Sequence, residues 1–90
     1  MSGELFEIDE SVLLEALHKW GYPAQELMAI EEMAELTQAI AKTNRGRPGN
    51  VAEEIADVLI TVTQIALSRR HEVQEAIAYK LDRLRERLKR

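Results

Sequence analysis

The segment from Val51 to Ser68 constrains the fold of this chain more than any other. When it is drawn as an α-helix, apolar residues surround most of its circumference, which is the pattern of a helix buried on nearly every side. The same segment carries Glu54 and Asp57 on one helical face, next to a polar stripe that continues through Thr61 and Gln64. An ionised carboxylate that is buried without a partner is costly. This helix therefore predicts either Lys or Arg side chains from another helix, or metal ions, beside its acidic residues.

Helical periodicity extends along almost the whole sequence, and no strand-like alternation is present. The predicted helices span about 9–20, 23–42, 51–68 and 72–89. The only clear loop is TNRGRPG at 43–49, and Asn50 after it suits a helix N-cap, close to a capping box with Glu53. We therefore predict one all-α domain over residues 1–90, an antiparallel four-helix bundle. Homo-oligomerisation is expected to complete it, because so short a chain cannot cover the third helix.

Each of the other helices has a stripe that is expected to pack inward. In the first helix the stripe consists of Val12, Leu13, Leu17 and Trp20. In the second it consists of Leu27, Ile30, Ala34, Thr37, Ile40 and Ala41, and the acidic residues of that helix lie on a different face. In the fourth it consists of Val73, Ile77, Leu81, Leu84 and Leu88.

Composition excludes several classes of function. The chain contains no Cys, which excludes disulfides, thiolate zinc sites and a Cys nucleophile. The net charge is -4, and since residues 80–90 carry +4, the remainder carries -8. An acidic body argues against a nucleic-acid binder and suits a protein that concentrates cations. No membrane span is predicted and the first ten residues do not resemble a signal peptide, so we expect a cytoplasmic protein.

The second helix supplies a further group of carboxylates, Glu31, Glu32 and Glu35. Glu32 and Glu35 share a face, and across a helix pair they would meet Glu54 and Asp57. An all-oxygen donor set of this kind favours Mg²⁺, or Mn²⁺ in its place, over zinc or copper. The alternative is that the acids of the second helix are solvated surface residues, which are common on exposed helices.

The spacing of these acids resembles the signature of a known family. The pattern EExxE at 31–35, a spacer of eighteen residues, and ExxD at 54–57 is similar to that of the MazG-like all-α nucleoside triphosphate pyrophosphohydrolases. Gln25 upstream and the sequence KLDRL at 80–84 extend the resemblance. It covers roughly residues 20–88 and is closest to the short, single-domain, often phage-encoded members.

The resemblance implies Mg²⁺-dependent hydrolysis of a nucleoside triphosphate to the monophosphate and pyrophosphate, by a homodimer or a homotetramer built from dimers. It also implies that Glu32, Glu35, Glu54 and Asp57 are metal ligands. Glu31 would be an accessory acid that binds a second ion or orients water, and either Glu31 or Glu35 would activate the water. Related groups with this fold include dimeric dUTPases and phosphoribosyl-ATP pyrophosphohydrolases, so the base and sugar do not follow from the motif.

Binding a triphosphate requires cations, and a base can stack on an aromatic ring. The substrate-contact hypotheses are five cations and one aromatic residue: Lys42, Arg45, Arg47, Lys80, Arg83 and Trp20. Ordinary solvation is the alternative for the loop cations, and a role as a core anchor is the alternative for the tryptophan.

Two rival functions remain open from the sequence. The first is a non-enzymatic oligomerisation or adaptor module that pairs through the fourth helix, but this hypothesis leaves Glu54 and Asp57 unexplained. The second is a degenerate family member that binds nucleotides without hydrolysing them. The presence of every acid of the motif counts against that hypothesis.

Overall fold

A computed structural model of the protein describes residues 5–90. Its elements, in chain order, are α1 Glu10–Trp20, α2 Tyr22–Asn44, α3 Val51–Ala66, a 3₁₀ turn Leu67–Arg69, and α4 Arg70–Leu88. These described residues contain helices and no strand, which confirms the all-α prediction. The main difference from the predicted bounds is at the end of the third helix. There the chain tightens into the 3₁₀ turn, and α4 begins two residues earlier than expected.

The junction between α1 and α2 depends on one glycine. Asp9 caps α1 by accepting a hydrogen bond from the backbone N–H of Ser11 at 3.0 Å. Gly21 ends α1 with a φ of 85°, and its N–H donates to the carbonyl oxygen of Leu17 at 2.8 Å. Pro23 follows in the first turn of α2, where its missing N–H costs no helical hydrogen bond. The predicted end of the first helix near residue 20 and the predicted start of the second helix near residue 23 are both confirmed.

The loop between α2 and α3 lies against the end of α2. A Cβ added to Gly49 would be 2.8 Å from the carbonyl oxygen of Ala39 and 3.0 Å from the hydroxyl of Thr43. Glycine is therefore required here by close approach. Asn50 occupies the N-cap of α3, but its side chain makes no capping hydrogen bond. The predicted capping box is not formed.

The antiparallel pair of α2 and α3 is the central packing unit of the chain. The face of α2 that packs on α3 is not the face that was predicted to pack inward. The residues of α2 that are buried are Gln25, Ala29 and Ala39, with Glu32 and Leu36 half-buried on the same face. The stripe that was predicted to pack inward is exposed apart from the half-buried Ala41, with Leu27 at 57% and Ile30 at 60%. That prediction was wrong for the single chain, because the small Ala29 and Ala39 let α2 approach α3 closely along the other face.

Helices α1 and α3 are less covered than their apolar residues suggest. In α1, Leu13 and Leu17 are buried as predicted, whereas Val12 and Trp20 are exposed. The expectation that α3 is buried on nearly every side was also wrong for one chain. Its outward apolar residues, Ile55, Ile60 and Val62, are about 40% exposed. The residues of α3 that are buried are the polar Thr61 and Gln64, which face the interior.

Helix α4 makes few contacts with the other helices. Within residues 5–90 it packs closely only against the preceding 3₁₀ turn, and none of its residues is buried. An ion pair between Arg70 and Glu10 joins its first turn to the start of α1. The predicted α4 stripe is exposed, apart from the half-buried Val73. The four helices are therefore present, but they do not close into a bundle within one chain.

The dimensions of the chain agree with this description. Its radius of gyration is 15.5 Å, whereas about 12 Å is typical of a compact chain of this length. It exposes 7518 Å², against about 5,400 Å² for a folded monomer of this mass. No helix among the described residues combines the length and apolar character that a membrane span needs.

Candidate metal centre

Three carboxylates meet where α2 crosses the first turns of α3. Carboxylate oxygens of Glu32, Glu54 and Asp57 all lie within 4.8 Å of one another, and each side chain is half-buried. Glu54 and Asp57 share a face because they are three residues apart on one helix. Glu32 joins them from the face of α2 that packs on α3. We call these three residues the carboxylate cluster.

The electrostatics of the carboxylate cluster are unfavourable in the protein alone. The pKa of Glu32 is raised to about 7, chiefly by a hydrogen bond with the carboxyl group of Glu35. Desolvation and repulsion from Asp57, Glu35 and Glu54 raise it further. The pKa of Glu54 is also raised, first by desolvation and then by repulsion from Glu35, Asp57 and Glu53. Neighbouring negative charge therefore opposes full ionisation of the cluster.

Within residues 5–90, no ion pair compensates these acids. The four ion pairs of the described chain involve other residues on α1 and α4. The sequence left open two ways of balancing the charge of these acids, a basic side chain from another helix or a metal ion. Among the described residues, no basic side chain pairs with them. Three closely spaced carboxylate oxygens, at least one of them hard to ionise, fit a divalent cation with oxygen ligands such as Mg²⁺ or Mn²⁺.

The other two predicted acids lie on α2 beside the cluster. Glu35 is exposed and lies outside the group of three, but it is close enough to Glu32 for a hydrogen bond between the two carboxyl groups to raise the pKa of Glu32. Glu31 is exposed on the same helix, one turn before Glu35. The structure therefore brings together three of the four residues proposed as ligands and places Glu35 next to them.

The predicted substrate contacts lie in three parts of the chain: the end of α2 with the loop after it, helix α4, and the end of α1. Lys42, two turns beyond Glu35, continues the face of Glu35 on α2, and Arg45 and Arg47 follow in the exposed loop. Lys80 lies on the separate helix α4, and its ammonium nitrogen is 6.0 Å from the centre of the Tyr79 ring.

Arg83 and Trp20 complete the predicted contacts. Arg83 lies 5.9 Å from the Tyr79 ring centre on α4. Trp20 is exposed at the end of α1, with the Lys19 ammonium 5.2 Å from its ring. The alternative role of Trp20 as a core anchor is excluded for the described chain.

The sequence reasoning missed how deeply the rest of the polar stripe is buried. Gln64 is 3% exposed, and its side-chain oxygen accepts no hydrogen bond from the described residues. Thr61 is satisfied locally, since its hydroxyl donates to the carbonyl oxygen of Asp57 at 2.9 Å. Gln25 on α2 is also buried. The regular spacing of Asp57, Thr61 and Gln64 was the available signal, because it places all three on one face of α3.

Comparison with known protein families gives a match over most of the chain. The family model described as the MazG nucleotide pyrophosphohydrolase domain matches residues 24–90, about three quarters of the chain. The match includes α2, α3 and α4, and so contains all members of the carboxylate cluster.

The chain belongs to this family of nucleotide pyrophosphohydrolase domains, which are pyrophosphohydrolase-type hydrolases and typically depend on a metal ion. The resemblance drawn from the acidic double motif is thereby confirmed. Searches of the curated proteins and of the solved structures returned no significant match.

Proposed function

We propose that this protein is a Mg²⁺-dependent pyrophosphohydrolase that converts a nucleoside triphosphate to the monophosphate and pyrophosphate. The observation that carries the proposal is the carboxylate cluster of Glu32, Glu54 and Asp57, whose oxygens lie within 4.8 Å of one another in a chain of this family. Hydrolysis of a triphosphate needs charge neutralisation and positioning more than a protein nucleophile. An acidic site without cysteine suits that chemistry.

The residues of the cluster would hold the metal ion, and Glu35 would support them. Glu32, Glu54 and Asp57 supply oxygen donors from two helices, so the packing of α2 on α3 fixes their spacing. Bound Mg²⁺ would supply positive charge that neutralises phosphate oxygens. We assign Glu35 the additional task of accepting a proton from the attacking water, because it is exposed beside the cluster.

In the proposed reaction, the oxygen of water forms a new bond to the α-phosphorus, the bond from that phosphorus to the oxygen that bridges the α- and β-phosphates breaks, and pyrophosphate leaves with the bridging oxygen. One proton of the water passes to Glu35 and is later released to solvent. Glu31 lies one turn away on α2 and would orient the water or hold a second ion. Comparing the activities of Glu35→Gln and Glu31→Gln separates these roles, since loss of the base lowers kcat more than loss of the orienting acid.

Substrate phosphates would also need cations from the protein. Lys42, Arg45 and Arg47 are exposed at the end of α2 and in the following loop, where they can contact a triphosphate that extends from the cluster. Trp20 is available for stacking on a base, since its ring is exposed. We propose these residues, together with Lys80 and Arg83 on α4, as substrate contacts.

The active form of the protein is proposed to be a homodimer or a dimer of dimers. One chain exposes about 2,100 Å² more surface than a compact monomer of its mass, which is comparable to what one subunit buries in an obligate dimer. Large apolar residues are exposed on the outward sides of α2 and α3, among them Leu27, Ile30 and Ile55. A second copy that packs on this face would complete the predicted bundle.

The experiment is to incubate the protein with a panel of canonical and modified nucleoside triphosphates plus Mg²⁺ and to measure pyrophosphate. Release from at least one of them is expected. Asp57→Asn should lower the rate by about 100-fold or more while the helical content is retained. Glu53→Gln is the matched control, because Glu53 lies on α3 but outside the cluster. No release from any nucleotide, or an Asp57→Asn variant as active as the control, would refute the proposal.

An independent measurement tests metal binding without catalysis. Mg²⁺ or Mn²⁺ should raise the Tm of the native protein, since a ligand that binds only the folded state stabilises it. The shift should disappear in Asp57→Asn and persist in Glu53→Gln. An adaptor module would show neither metal stabilisation nor pyrophosphate release.

A further inference from the structure

The covered side chains of α2 and α3 form a ladder of facing pairs. From the carboxylate cluster toward α1, the covered positions are 32, 29 and 25 on α2, and 57, 61 and 64 on α3. Steps of three and four residues keep each set on one face of its helix. Because the helices are antiparallel and Glu32 meets Asp57 in the cluster, position 29 faces position 61. Gln25 and Gln64, which are the next covered residues, then face each other.

The middle pair of the ladder is small and lets the two helices lie close together. Ala29 is 1% exposed and Thr61 is 5% exposed. The Thr61 hydroxyl donates within its own helix, to the carbonyl oxygen of Asp57 at 2.9 Å. The glutamine pair is therefore the next place in the ladder where polar side chains of the two helices can bond to each other.

The amide of Gln64 needs such a bond. The residue is 3% exposed, and its Oε1 accepts no hydrogen bond from residues 5–90. Buried polar atoms in native proteins are nearly always bonded. Leu13 of α1 lines a cavity with Thr63 and Leu67 at this end of α3, and a leucine offers no donor. Gln25 is 6% exposed, faces Gln64 in the ladder and carries two amide N–H donors.

The carboxylate cluster lies between the two ends of this helix pair. At the loop end, a Cβ on Gly49 would be 2.8 Å from the carbonyl oxygen of Ala39, so the chain is held there by close approach. At the other end, Gln64 lies about 10 Å along α3 from Asp57. The loop does not limit how far the helices rotate or spread at this distant end. A bond between the two glutamines would limit both movements.

We infer that Gln25 and Gln64 pair through their side-chain amides and fix the register of α2 on α3. The pair thereby positions the three acids of the carboxylate cluster, although neither glutamine belongs to it. The terminal torsion of a glutamine is broad, so rotation of either amide can complete the bond to Oε1 of Gln64. Single buried polar residues fix the register of packed helices in this way, at a cost in stability. The inference rests on the proposed function and deepens it by naming residues that act on the metal site without contacting the metal.

Replacement by methionine tests the positioning role, because methionine is a flexible unbranched residue without the amide. Gln25→Met and Gln64→Met should each weaken Mn²⁺ binding about 10-fold, as loss of a group that orients metal ligands does. The double variant should show the same 10-fold loss, since each single variant already breaks the pair. Its Tm in EDTA should nevertheless return to the wild-type value or exceed it, because replacing both partners leaves no unpaired amide.

These outcomes separate positioning from a general contribution to stability. Wild-type Mn²⁺ affinity in the double variant would overturn the inference, and so would losses that multiply to about 100-fold, as expected of independent residues. The matched control is Gln38→Met, which removes an exposed amide from the same helix and should keep the wild-type Mn²⁺ affinity. If nucleotides are hydrolysed, excess metal should restore the rate of the double variant. A changed preference among nucleotides would instead indicate contact with the substrate and contradict the inference.

A second measurement uses the metal-free protein and no nucleotide. In EDTA, the side-chain amide protons of Gln25 should exchange with water more slowly than those of Gln38, as measured by NMR. Gln64→Met should remove most of this protection, because the acceptor is lost. Protection that persists in Gln64→Met would come from burial alone and would overturn the inference. If the wild-type protein hydrolyses no nucleotide, the proposed function fails, while proton exchange and the Mn²⁺ titration still decide whether the glutamines position the cluster.

Discussion

The pair of α2 and α3 differs from α4 in what its sequence buries. The α2–α3 contact is formed by small and polar residues, including Ala29, Ala39, Thr61 and Gln64, and these are among the least exposed side chains of the chain. Helix α4 has a conventional apolar stripe, but it buries none of it within residues 5–90. The region that is richer in polar groups is thus the better packed one.

This difference indicates what each region is for. A polar contact between helices is stable only when its groups are satisfied or bind something, and the carboxylate cluster at the first turns of α3 is the part of this contact that would bind a metal ion. An exposed apolar stripe is the mark of an unfinished interface. The chain alone positions the acids, and we propose that α4 packs on another copy.

The largest expected effect comes from the apolar stripe of α4. Leu84 is 45% exposed in one chain, so truncation to Ala would cost little if the protein were a monomer. If a second copy buries it, Leu84→Ala should destabilise the dimer by about 2–5 kcal/mol. Light scattering and the concentration dependence of Tm measure this effect. Tyr79→Ala, on the opposite side of α4, is the control, and equal behaviour of the two variants would contradict the assigned interface.

A smaller effect is expected in the α2–α3 contact. Ala29 is 1% exposed, so Ala29→Leu forces three additional carbon atoms into a close helix contact. Overpacking of this kind should lower the free energy of unfolding by about 1–3 kcal/mol and separate the cluster acids. Denaturant unfolding compares it with Ala24→Leu on the exposed side of α2. A tolerated Ala29→Leu would mean that the helices pack less closely than described.

The loop that joins the two helices should be sensitive for a similar reason. Gly49→Ala places a Cβ 2.8 Å from the carbonyl oxygen of Ala39, so either the loop or the end of α2 must shift. We expect a loss of about 1–2 kcal/mol in unfolding free energy, measured by denaturant titration. Gly46→Ala is an instructive comparison. Its Cβ meets nothing within 4 Å, but its φ of 77° is strained for alanine, so its cost has a different origin.

The smallest effect is a pH dependence of the metal-free protein. The pKa of Glu32 is raised from an ordinary 4.5 to about 7, so between these pH values the folded state binds more protons than the unfolded state. The contribution of Glu32 to stability is therefore most favourable below pH 4.5 and declines as the pH rises through 7. In EDTA, Glu32→Gln should flatten this decline in Tm between pH 5 and pH 8. If Glu32→Gln leaves the dependence of Tm on pH unchanged, ionisation of Glu32 is not the source of the decline in stability.

Much of the site was predictable because its members are local in sequence. Glu54 and Asp57 are one helical turn apart, as are Glu32 and Glu35, and helical spacing alone placed each pair on one face. The predicted end of the first helix at residue 20 and the predicted start of the second at residue 23 also rest on local signals, since Gly21 can end a helix and Pro23 can open one. The family was also indicated by the spacing of the acids along the chain, which needs no tertiary information.

The packing direction of α2 was not predictable in the same way. This helix has an apolar face with Leu27 and Ile30 and an opposite face with Ala29 and Glu32, and a hydrophobic pattern selects the first. Within one chain the second face packs on α3. Periodicity identifies which residues share a face, but it does not say whether that face meets a neighbour in the same chain or in another copy.

The sequence by itself determined four helices, the acidic pairs and the family, because each of these depends on spacing along one chain segment. Only the tertiary structure decided that three carboxylates meet within 4.8 Å, that Gln64 is buried beside Thr61, and that α4 stands apart. These facts depend on which face of each helix meets another. Contacts between distant segments are set by packing of whole surfaces, and local periodicity specifies the surfaces without specifying their partners.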